Sequence, residues 1–277
     1  MNFLLFVLGS NSILHMQAHY ALRTLYVHST HDDKFFILTD SPILYENLPF
    51  VEVIAITAKD IIEWKGEYDY FFRIKINAIR KFVHAHSDKH LIYVDCDTYC
   101  IRDFSSFKLL LDKGHGIMHK DEGSIEHMKG DSQTMWKQTH GKKFAGITIT
   151  SDYHMWNSGV LGIPKEHVIS VMDKALEICD AFLTSGVTCF NMEQWAISIA
   201  LAHYCSHGIK EGNKIIGHYW HHKYVWSRYI ALFFADTYSH GRTLESDLHI
   251  IKHTNFHWLA RRLATQRILM KIFCTSY

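Results

Sequence analysis

The chain of 277 residues lacks several of the patterns that assign a sequence to a class directly. Its six cysteines include no Cys-x-x-Cys pair, which excludes the common zinc-finger spacings and fits a reduced, cytosolic setting. No run approaches the roughly 20 apolar residues that a membrane-spanning helix requires. Charge of one sign is not in excess, because 29 Lys and Arg balance 28 Asp and Glu. We therefore expect neither a membrane-spanning protein nor one that collects nucleic acid over a whole basic surface.

Proline is also scarce, with three residues, and no proline- or glycine-rich linker divides the chain. The apolar fraction of 48% and the charged fraction of 21% are typical of a globular protein with a buried core. Histidine is abundant instead, with 22 residues. Because histidine is the commonest protein metal ligand, this number suggests a metalloprotein without identifying the site.

Short apolar runs alternate with helical patterns, which is typical of βαβ units around a largely parallel sheet. We predict strands at residues 3–8, 35–38, 51–56, 90–94 and 156–163, and helices at residues 14–26, 70–84 and 192–203 and after Pro164. The polar segment 121–144 predicts an irregular loop or lid. The first strand ends at Gly9 and Ser10, and the helix that follows presents backbone N–H groups that can meet a phosphate or a base, although plain βα turns look the same.

Two carboxylates follow the apolar strand Leu91-Ile92-Tyr93-Val94, in the sequence Asp95-Cys96-Asp97. Open α/β sheets bind ligands at this end of their strands. Two acidic groups this close repel each other unless a cation lies between them, so the pattern favours Mg²⁺ or Mn²⁺ bound to a diphosphate. By itself an Asp-x-Asp pattern is also common in solvated turns.

The wider pattern is more specific. Three motifs follow one another along the chain: Phe72-Arg73-x-Lys75, the strand end Asp95-Cys96-Asp97, and Trp156-Asn157-Ser158-Gly159. Together they resemble the nucleotide-diphospho-sugar glycosyltransferases of the GT-A fold, and most closely the glycogenin-like and lipopolysaccharide galactosyltransferase-like enzymes of glycosyltransferase family 8. The resemblance runs from the first strand to Trp226. It implies an α/β fold of GT-A type, with a Rossmann-like mixed sheet between helices.

The resemblance also implies a metal site for Mn²⁺ or Mg²⁺. Asp95 is expected to contact the metal and the nucleotide ribose, and Asp97 is expected to be the stronger metal ligand. His218 in Gly217-His218-Tyr219-Trp220 takes the place of the family's third ligand, and Lys223 that of its diphosphate contact. His221 and Val225 depart from the family's usual Gly and Pro, and His253, after another apolar run, is the alternative ligand.

Further positions follow from the same resemblance. Asn157, Ser158 and Gly159 match a segment that contacts the donor sugar, and Glu193 and Gln194 occur where the family has Asp-Gln. Glu193, Gln194 and Asn157 are the expected catalytic groups. Two of these positions have a plain structural alternative. Glu193 also fits an acid at a helix start that is favourably placed against the helix dipole, and Gly159 also fits a residue that relieves crowding in a strand.

Weaker substrate contacts complete the predicted site. Of Arg73 and Lys75, one is expected to meet the diphosphate, and Lys75 is preferred. Asp40 is a candidate contact to the nucleotide base, and Asp152 is a candidate contact to the acceptor substrate. Each of them also fits an ordinary acidic residue in a loop.

The resemblance implies transfer of a sugar, most simply from a UDP-sugar, to a saccharide or lipid-linked acceptor in polysaccharide or lipopolysaccharide assembly, with retention of configuration. Nucleic acid is not an expected partner. A sugar nucleotidyltransferase or phosphohydrolase with the same carboxylates is one alternative, but the loop after the first strand lacks the basic, glycine-rich sequence of the former. A histidine-rich, non-catalytic metal-binding protein is another, but it leaves the order of the motifs unexplained.

We assign residues 1–255 to the glycosyltransferase domain and residues 256–277 to a basic amphipathic helix. That helix carries apolar residues together with Arg261, Arg262, Arg267 and Lys271. Such a helix suits an anionic membrane surface or docks on the core with a solvated basic face. We accordingly expect a cytoplasmic protein with peripheral contact to the inner face of the membrane.

Overall fold

A mixed sheet forms the centre of the protein, for which the computed structural model describes residues 1–274, with side chains through residue 268. The strands of the described chain are β1 (Asn2–Val7), β2 (Lys34–Thr39), β3 (Val51–Ala55), β4 (Leu91–Val94), β5 (Thr98–Cys100), β6 (Gly116–Met118), β7 (Asp121–Ser124), β8 (Lys143–Phe144), β9 (Ile147–Thr148), β10 (His154–Trp156), β11 (Val160–Ile163), β12 (Ile209–Glu211) and β13 (Ile216–His218). Within residues 1–274, seven of them form the central sheet in the order β12-β6-β11-β4-β1-β2-β3.

The sheet is parallel on one side and mixed on the other. β1 pairs in parallel with β2 and β4, and β2 with β3. β11 runs antiparallel to both of its neighbours, β4 and β6. The parallel strands are almost continuously apolar because helices cover both faces of the sheet.

Helices lie on both faces of the sheet. In chain order they are α1 (Ser12–Tyr26), α2 (Ala58–Lys65), α3 (Arg73–Ala85), α4 (Ser105–Asp112), α5 (Asp131–Thr139), α6 (Val168–Thr184), α7 (Met192–Tyr204), α8 (Lys223–Ser239), α9 (Leu244–Lys252) and α10 (Phe256–Cys274). Asn11 caps α1, with its side chain accepting a hydrogen bond from the backbone N–H of Ile13 at 3.0 Å.

The two faces of β1 enter different parts of the core. Phe3 and Leu5 pack with Leu22 of α1, whereas Leu4 packs with Ile79 of α3 and with side chains of α6 and α7. Side chains alternate between the faces of a strand, so one short apolar strand holds both helical layers in place. Each such fully buried side chain contributes about 1.5–3 kcal/mol relative to its exposed state.

Small antiparallel ribbons lie outside the central sheet. β10 pairs with β7, so that His154 lies opposite Ser124. β13 pairs with β5, so that His218 lies opposite Thr98. The second ribbon carries a residue from late in the chain to the end of β4.

The structure confirms the α/β fold with a mixed central sheet, and it corrects two local predictions. The segment 121–144 is not an irregular loop, because it contains β7, α5 and β8. Met135 and Trp136 of α5 are buried in the core, and this packing holds a helix whose own sequence is mostly polar. The helix predicted at residues 70–84 begins only at Arg73, so Phe71 lies before it and is 55% exposed.

The C-terminal helix α10 is docked along its first turns. Phe256, Leu259 and Leu263 are buried against Trp226 and Ile230 of α8. Of the predicted helix 256–277, residues 275–277 and the side chain of Lys271 lie outside the described part of the chain. Among residues 1–274, no helix combines the length and apolar content that crossing a bilayer requires.

Candidate active site

Asp95 and Asp97 lie at the carboxyl end of β4, as the apolar run that precedes them predicts. The backbone N–H of Asp95 donates to the Gly159 carbonyl at 2.9 Å, and the Thr98 hydroxyl donates to the Asp95 carbonyl at 2.7 Å. These bonds tie the turn after β4 to the start of β11 and to β5. The backbone of Asp95 is therefore fixed on both sides of its side chain.

His218 joins the two aspartates through the pairing of β13 with β5. The possible ligand atoms of Asp95, Asp97 and His218 lie within 4.8 Å of one another. His218 Nε2 is 3.2 Å from Asp97 Oδ1, and Lys223 Nζ is 3.1 Å from Asp97 Oδ2. Burial favours the neutral form of the Asp97 carboxyl, but His218 and Lys223 outweigh it and hold its pKa well below its usual range.

These three residues fit a divalent ion. Two carboxylates and an imidazole are a suitable donor set for Mn²⁺, and carboxylates also suit Mg²⁺. Asp97 is 7% exposed and faces the imidazole and the ammonium of Lys223, so this buried site is already organised around a charge that needs cations. Among the side chains that the structure describes, this is the group of His, Cys, Asp and Glu residues close enough to hold a metal ion. His253 is not part of it and lies at the end of α9.

A buried ionic network lies beside these candidate metal ligands. Lys75 Nζ is 3.2 Å from Asp95 Oδ1 and 3.4 Å from Glu193 Oε1, and it donates to the Ser158 hydroxyl at 3.0 Å. Burial opposes the charge on Lys75, but Asp95 and Glu193 outweigh it and raise its pKa. Burial raises the pKa of Glu193, and the charge of Lys75 offsets only part of this rise. The Tyr93 hydroxyl donates to Asp95 at 2.7 Å, a contact that the sequence patterns did not single out.

The loop between β10 and β11 connects this network to α7. Ser158 donates through its hydroxyl to Glu193 at 3.0 Å, and its backbone N–H donates to Gln194 Oε1 at 3.0 Å. The structure thus brings Ser158, Glu193 and Gln194 into direct contact next to Asn157. We call the set Lys75, Asp95, Ser158, Glu193 and Gln194 the cleft floor.

Gly159 is required for close packing and not for an unusual backbone conformation. A Cβ atom at this position would overlap the His218 ring. Asn157 Oδ1 accepts hydrogen bonds from the Gly159 backbone N–H at 3.1 Å and from His218 Nδ1 at 3.0 Å. The absence of a side chain at residue 159 therefore lets His218 approach the carboxylates.

Sequence reasoning missed Glu122 and His119. Glu122 accepts hydrogen bonds from the side-chain amides of Asn157 and Gln194, and it belongs to the segment that we predicted to be irregular. His119 packs edge-on against His218, and burial, together with the charge of His218, lowers its pKa to about 4. No local motif marks either residue.

The floor opens into a cleft of about 390 Å³. Its mouth carries three exposed aromatic side chains: Phe71, Phe190 and Trp220 are 55%, 68% and 46% exposed. We call these three residues the aromatic rim. Lys223, with 48% of its side chain exposed, also faces the cleft.

Several predicted contacts lie elsewhere. Arg73 does not line the cleft, because its guanidinium pairs with Asp180 at 2.6 and 3.0 Å. It also donates to the carbonyl of Trp64 at 2.8 Å. Arg73 is therefore committed to holding α2, α3 and α6 together.

Gly9 and Asp40 contact each other at the ends of β1 and β2. The Gly9 backbone N–H donates to the Asp40 carboxylate at 3.0 Å, so both groups are paired. Ser10 is exposed beside them. Asp152 lies in an exposed turn and accepts a hydrogen bond from Thr150 at 3.1 Å.

Comparison with solved structures identifies the architecture. The chain is similar to the galactosyltransferase LgtC, solved in complex with donor and acceptor sugar analogues, with a TM-score of 0.51 and 11% sequence identity. The similarity covers 76% of this chain and 72% of that chain. The protein has the GT-A fold. No protein-family model and no curated protein sequence matches the chain.

Within the GT-A fold, the position of the site has a physical explanation. Asp95 and Asp97 end the strand β4, which lies between the parallel strand β1 and the antiparallel strand β11. Open α/β sheets bind ligands at the carboxyl ends of their strands, where the connections part. The candidate metal group therefore lies where this architecture forms a ligand crevice.

Proposed function

We propose that this protein is a metal-dependent glycosyltransferase that transfers a sugar from a UDP-sugar to a saccharide or glycolipid acceptor, as enzymes of glycosyltransferase family 8 do. The observation that carries the proposal is the convergence of Asp95, Asp97 and His218 within 4.8 Å at the carboxyl end of a central strand of a GT-A sheet. The resemblance to that family in the motif order supports a place in surface polysaccharide or lipopolysaccharide assembly.

Asp95, Asp97 and His218 would hold Mn²⁺ or Mg²⁺, which supplies Lewis-acid stabilisation of the diphosphate leaving group. Lys223, which pairs with Asp97 and is half-exposed, adds positive charge from the wall of the cleft, where a phosphate would meet it. Lys75 has a different task, because its ammonium is already bound by Asp95, Ser158 and Glu193. We assign Lys75 to holding these acidic groups in place.

Gln194 lines the cleft, whereas Glu193 is buried on Lys75 and Ser158. We assign Gln194 to contact with the donor sugar and Glu193 to its support. An inverting enzyme would need a general base beside the acceptor hydroxyl. Glu193 is paired with Lys75 and Ser158, and Asp152 does not line the cleft, so neither carboxylate is placed for that role. This arrangement supports retention of configuration.

The aromatic rim is the proposed contact surface for the acceptor. Phe71 and Phe190 offer exposed aromatic faces at the mouth of the cleft, beyond the polar groups assigned to the donor. Binding sites commonly combine an apolar, aromatic lining with a few fixed polar groups. A saccharide presents the C–H face of its ring to such a surface.

The test of the proposed function is hydrolysis and binding of UDP-sugars with Mn²⁺ and with EDTA. We expect Mn²⁺-dependent binding and turnover, and Asp97→Asn should lower turnover by about 10²- to 10³-fold, the scale found when a group that stabilises transition-state charge is removed. Asp88→Asn, in an exposed turn, is the matched control. GDP- and CDP-sugars measured in parallel identify the nucleotide.

Equal rates with Mn²⁺ and EDTA, or no binding of any nucleotide sugar, would contradict the proposal. Uptake of Zn²⁺ or Ni²⁺ that persists in Asp97→Asn would favour a histidine-rich metal-binding protein instead.

We further propose peripheral contact with an anionic membrane through α10. Its Trp258 is 59% exposed next to the exposed Arg261 and Arg262. The apolar residues Leu259 and Leu263 are buried against α8 instead. Basic residues and an interfacial tryptophan suit the headgroup region of a membrane. Such contact would bring a lipid-linked acceptor to the enzyme.

Flotation with vesicles of anionic and of neutral lipids tests this contact. We expect the full chain to float with the anionic vesicles, and an Arg261→Gln/Arg262→Gln variant to lose roughly 2 kcal/mol of binding, at about 1 kcal/mol per basic residue near the surface. Unchanged flotation of that variant would contradict the role of α10.

A further inference from the structure

Glu122 lies at the centre of a set of hydrogen bonds that has one consistent arrangement. Its Oε1 accepts from Asn157 Nδ2 at 3.2 Å, and its Oε2 accepts from Gln194 Nε2 at 3.0 Å. Carboxylate oxygens accept hydrogen bonds and do not donate them in the ionised state. Both amides must therefore turn their NH₂ groups toward Glu122.

The opposite side of each amide meets a backbone donor. Asn157 Oδ1 faces the Gly159 N–H at 3.1 Å, and Gln194 Oε1 faces the Ser158 N–H at 3.0 Å. A backbone N–H can only donate, so it independently requires an oxygen at that position. The orientation of the Asn157 amide is thus fixed from both ends.

This orientation determines the position of one hydrogen on the His218 ring. His218 Nδ1 lies 3.0 Å from Asn157 Oδ1, which has no hydrogen to donate. The hydrogen of that bond must therefore be on Nδ1. The other ring nitrogen, Nε2, faces Asp97 Oδ1 at 3.2 Å, and a carboxylate oxygen also only accepts, so an ion that binds here would take the place of a hydrogen on Nε2.

We propose that Glu122 is a positioning residue for the metal site: through Asn157 it keeps a hydrogen on Nδ1 of His218, so that Nε2 is the nitrogen that binds the ion. Partners of this kind fix the ring orientation and tautomer of histidine ligands in many metal sites. Through Gln194 the same carboxylate also orients the amide that we assign to the donor sugar. The inference deepens the proposed metal-dependent function and rests on it.

The first test is Mn²⁺ affinity, measured by titration calorimetry without nucleotide. Glu122→Gln is the informative variant, because its amide nitrogen cannot accept from a second amide, so Asn157 or Gln194 loses its orientation. We expect Glu122→Gln and Glu122→Ala to weaken Mn²⁺ binding by about tenfold, the lower end of the effect of such partners. Glu122→Asp, which keeps the carboxylate, should restore part of the loss.

Glu126→Gln is the matched control, because Glu126 is exposed on the same segment and does not line the cleft. It should bind Mn²⁺ as the wild-type protein does. Equal Mn²⁺ affinities for Glu122→Gln and Glu126→Gln would overturn the proposal.

The second test reports the tautomer without any metal. In ¹⁵N-histidine-labelled protein, two-bond proton–nitrogen correlations identify which ring nitrogen carries hydrogen, and comparison with His218→Gln assigns the signal. We expect hydrogen on Nδ1 in the wild-type protein, whether or not Nε2 also carries one, and a mixture of rings with and without it in Glu122→Gln. A wild-type ring with hydrogen on Nε2 alone would overturn the proposal. A protein with the expected spectrum that binds no Mn²⁺ would instead contradict the proposed function.

Discussion

In the cleft floor, every charged group has a partner within the chain. The aromatic rim lines the same cleft but exposes large apolar side chains. Lys75 binds two carboxylates in the floor and is 8% exposed, while Phe190 at the rim is 68% exposed. Buried charges are stable only when paired, so the floor has little freedom to change. Exposed aromatic groups carry no such requirement. Changes in the floor should therefore affect folding and metal binding, and changes at the rim should affect substrate binding alone.

The largest expected effect is that of Lys75→Met. This change leaves the buried Glu193 without its counter-charge, and removing one partner of a buried pair costs about 3–5 kcal/mol of the free energy of unfolding. Lys81→Met is the matched control on the same helix, because its ammonium pairs with Asp60 at the surface. An exposed pair contributes at most about 1 kcal/mol. Urea unfolding of both variants measures the difference.

Similar losses for Lys75→Met and Lys81→Met would show that the floor is not the tightly constrained region described here. A double variant Lys75→Met/Glu193→Gln should recover part of the stability, because it removes the uncompensated charge.

An intermediate effect is expected for Gly159→Ala. The new methyl group would overlap the His218 ring and push it away from Asp97. We expect Mn²⁺ affinity, measured by calorimetry, to fall by at least about tenfold, or about 1.4 kcal/mol. Gly162→Ala, whose Cβ would lie 2.9 Å from Ile117 on β6, is the packing control and should lower stability with little change in Mn²⁺ affinity. Unchanged affinity in Gly159→Ala would refute the close packing of His218.

The smallest effect is expected at the rim, for Phe190→Ala. The free energy of unfolding should change little, because the side chain is largely exposed. The acceptor KM should rise by about 2- to 10-fold, which corresponds to the roughly 0.5–1.5 kcal/mol of an aromatic contact. Steady-state kinetics with donor and acceptor varied separately check this. A rise in the donor KM alone would place the rim in the donor site.

The two regions also differ in how far the sequence predicts them. Asp95 and Asp97 could be placed at a strand end, because an apolar run directly before them is a local signal. His218 could be proposed only through the family resemblance, since it is 121 residues from Asp97 in the chain. The contact exists because β13 pairs with β5, and three-residue strands carry too little pattern to be identified alone.

Glu122 shows why the rest of the site could not be predicted. Its position depends on the pairing of β7 with β10, in a segment whose polar composition favoured a loop. Its partners Asn157 and Gln194 are 35 and 72 residues away. Arg73 and Lys75 illustrate the same limit, because helical spacing alone did not decide which of them faces the cleft.

The β5–β13 ribbon has a consequence for how the protein folds. Because it joins ligands from distant parts of the chain, the metal-binding group exists only in a chain that has folded through β13. An ion that binds the folded state alone stabilises it by mass action, by about 2.7 kcal/mol at roughly one hundred times its dissociation constant. If the proposed ion binds this group, the melting temperature should therefore rise with the concentration of divalent ion.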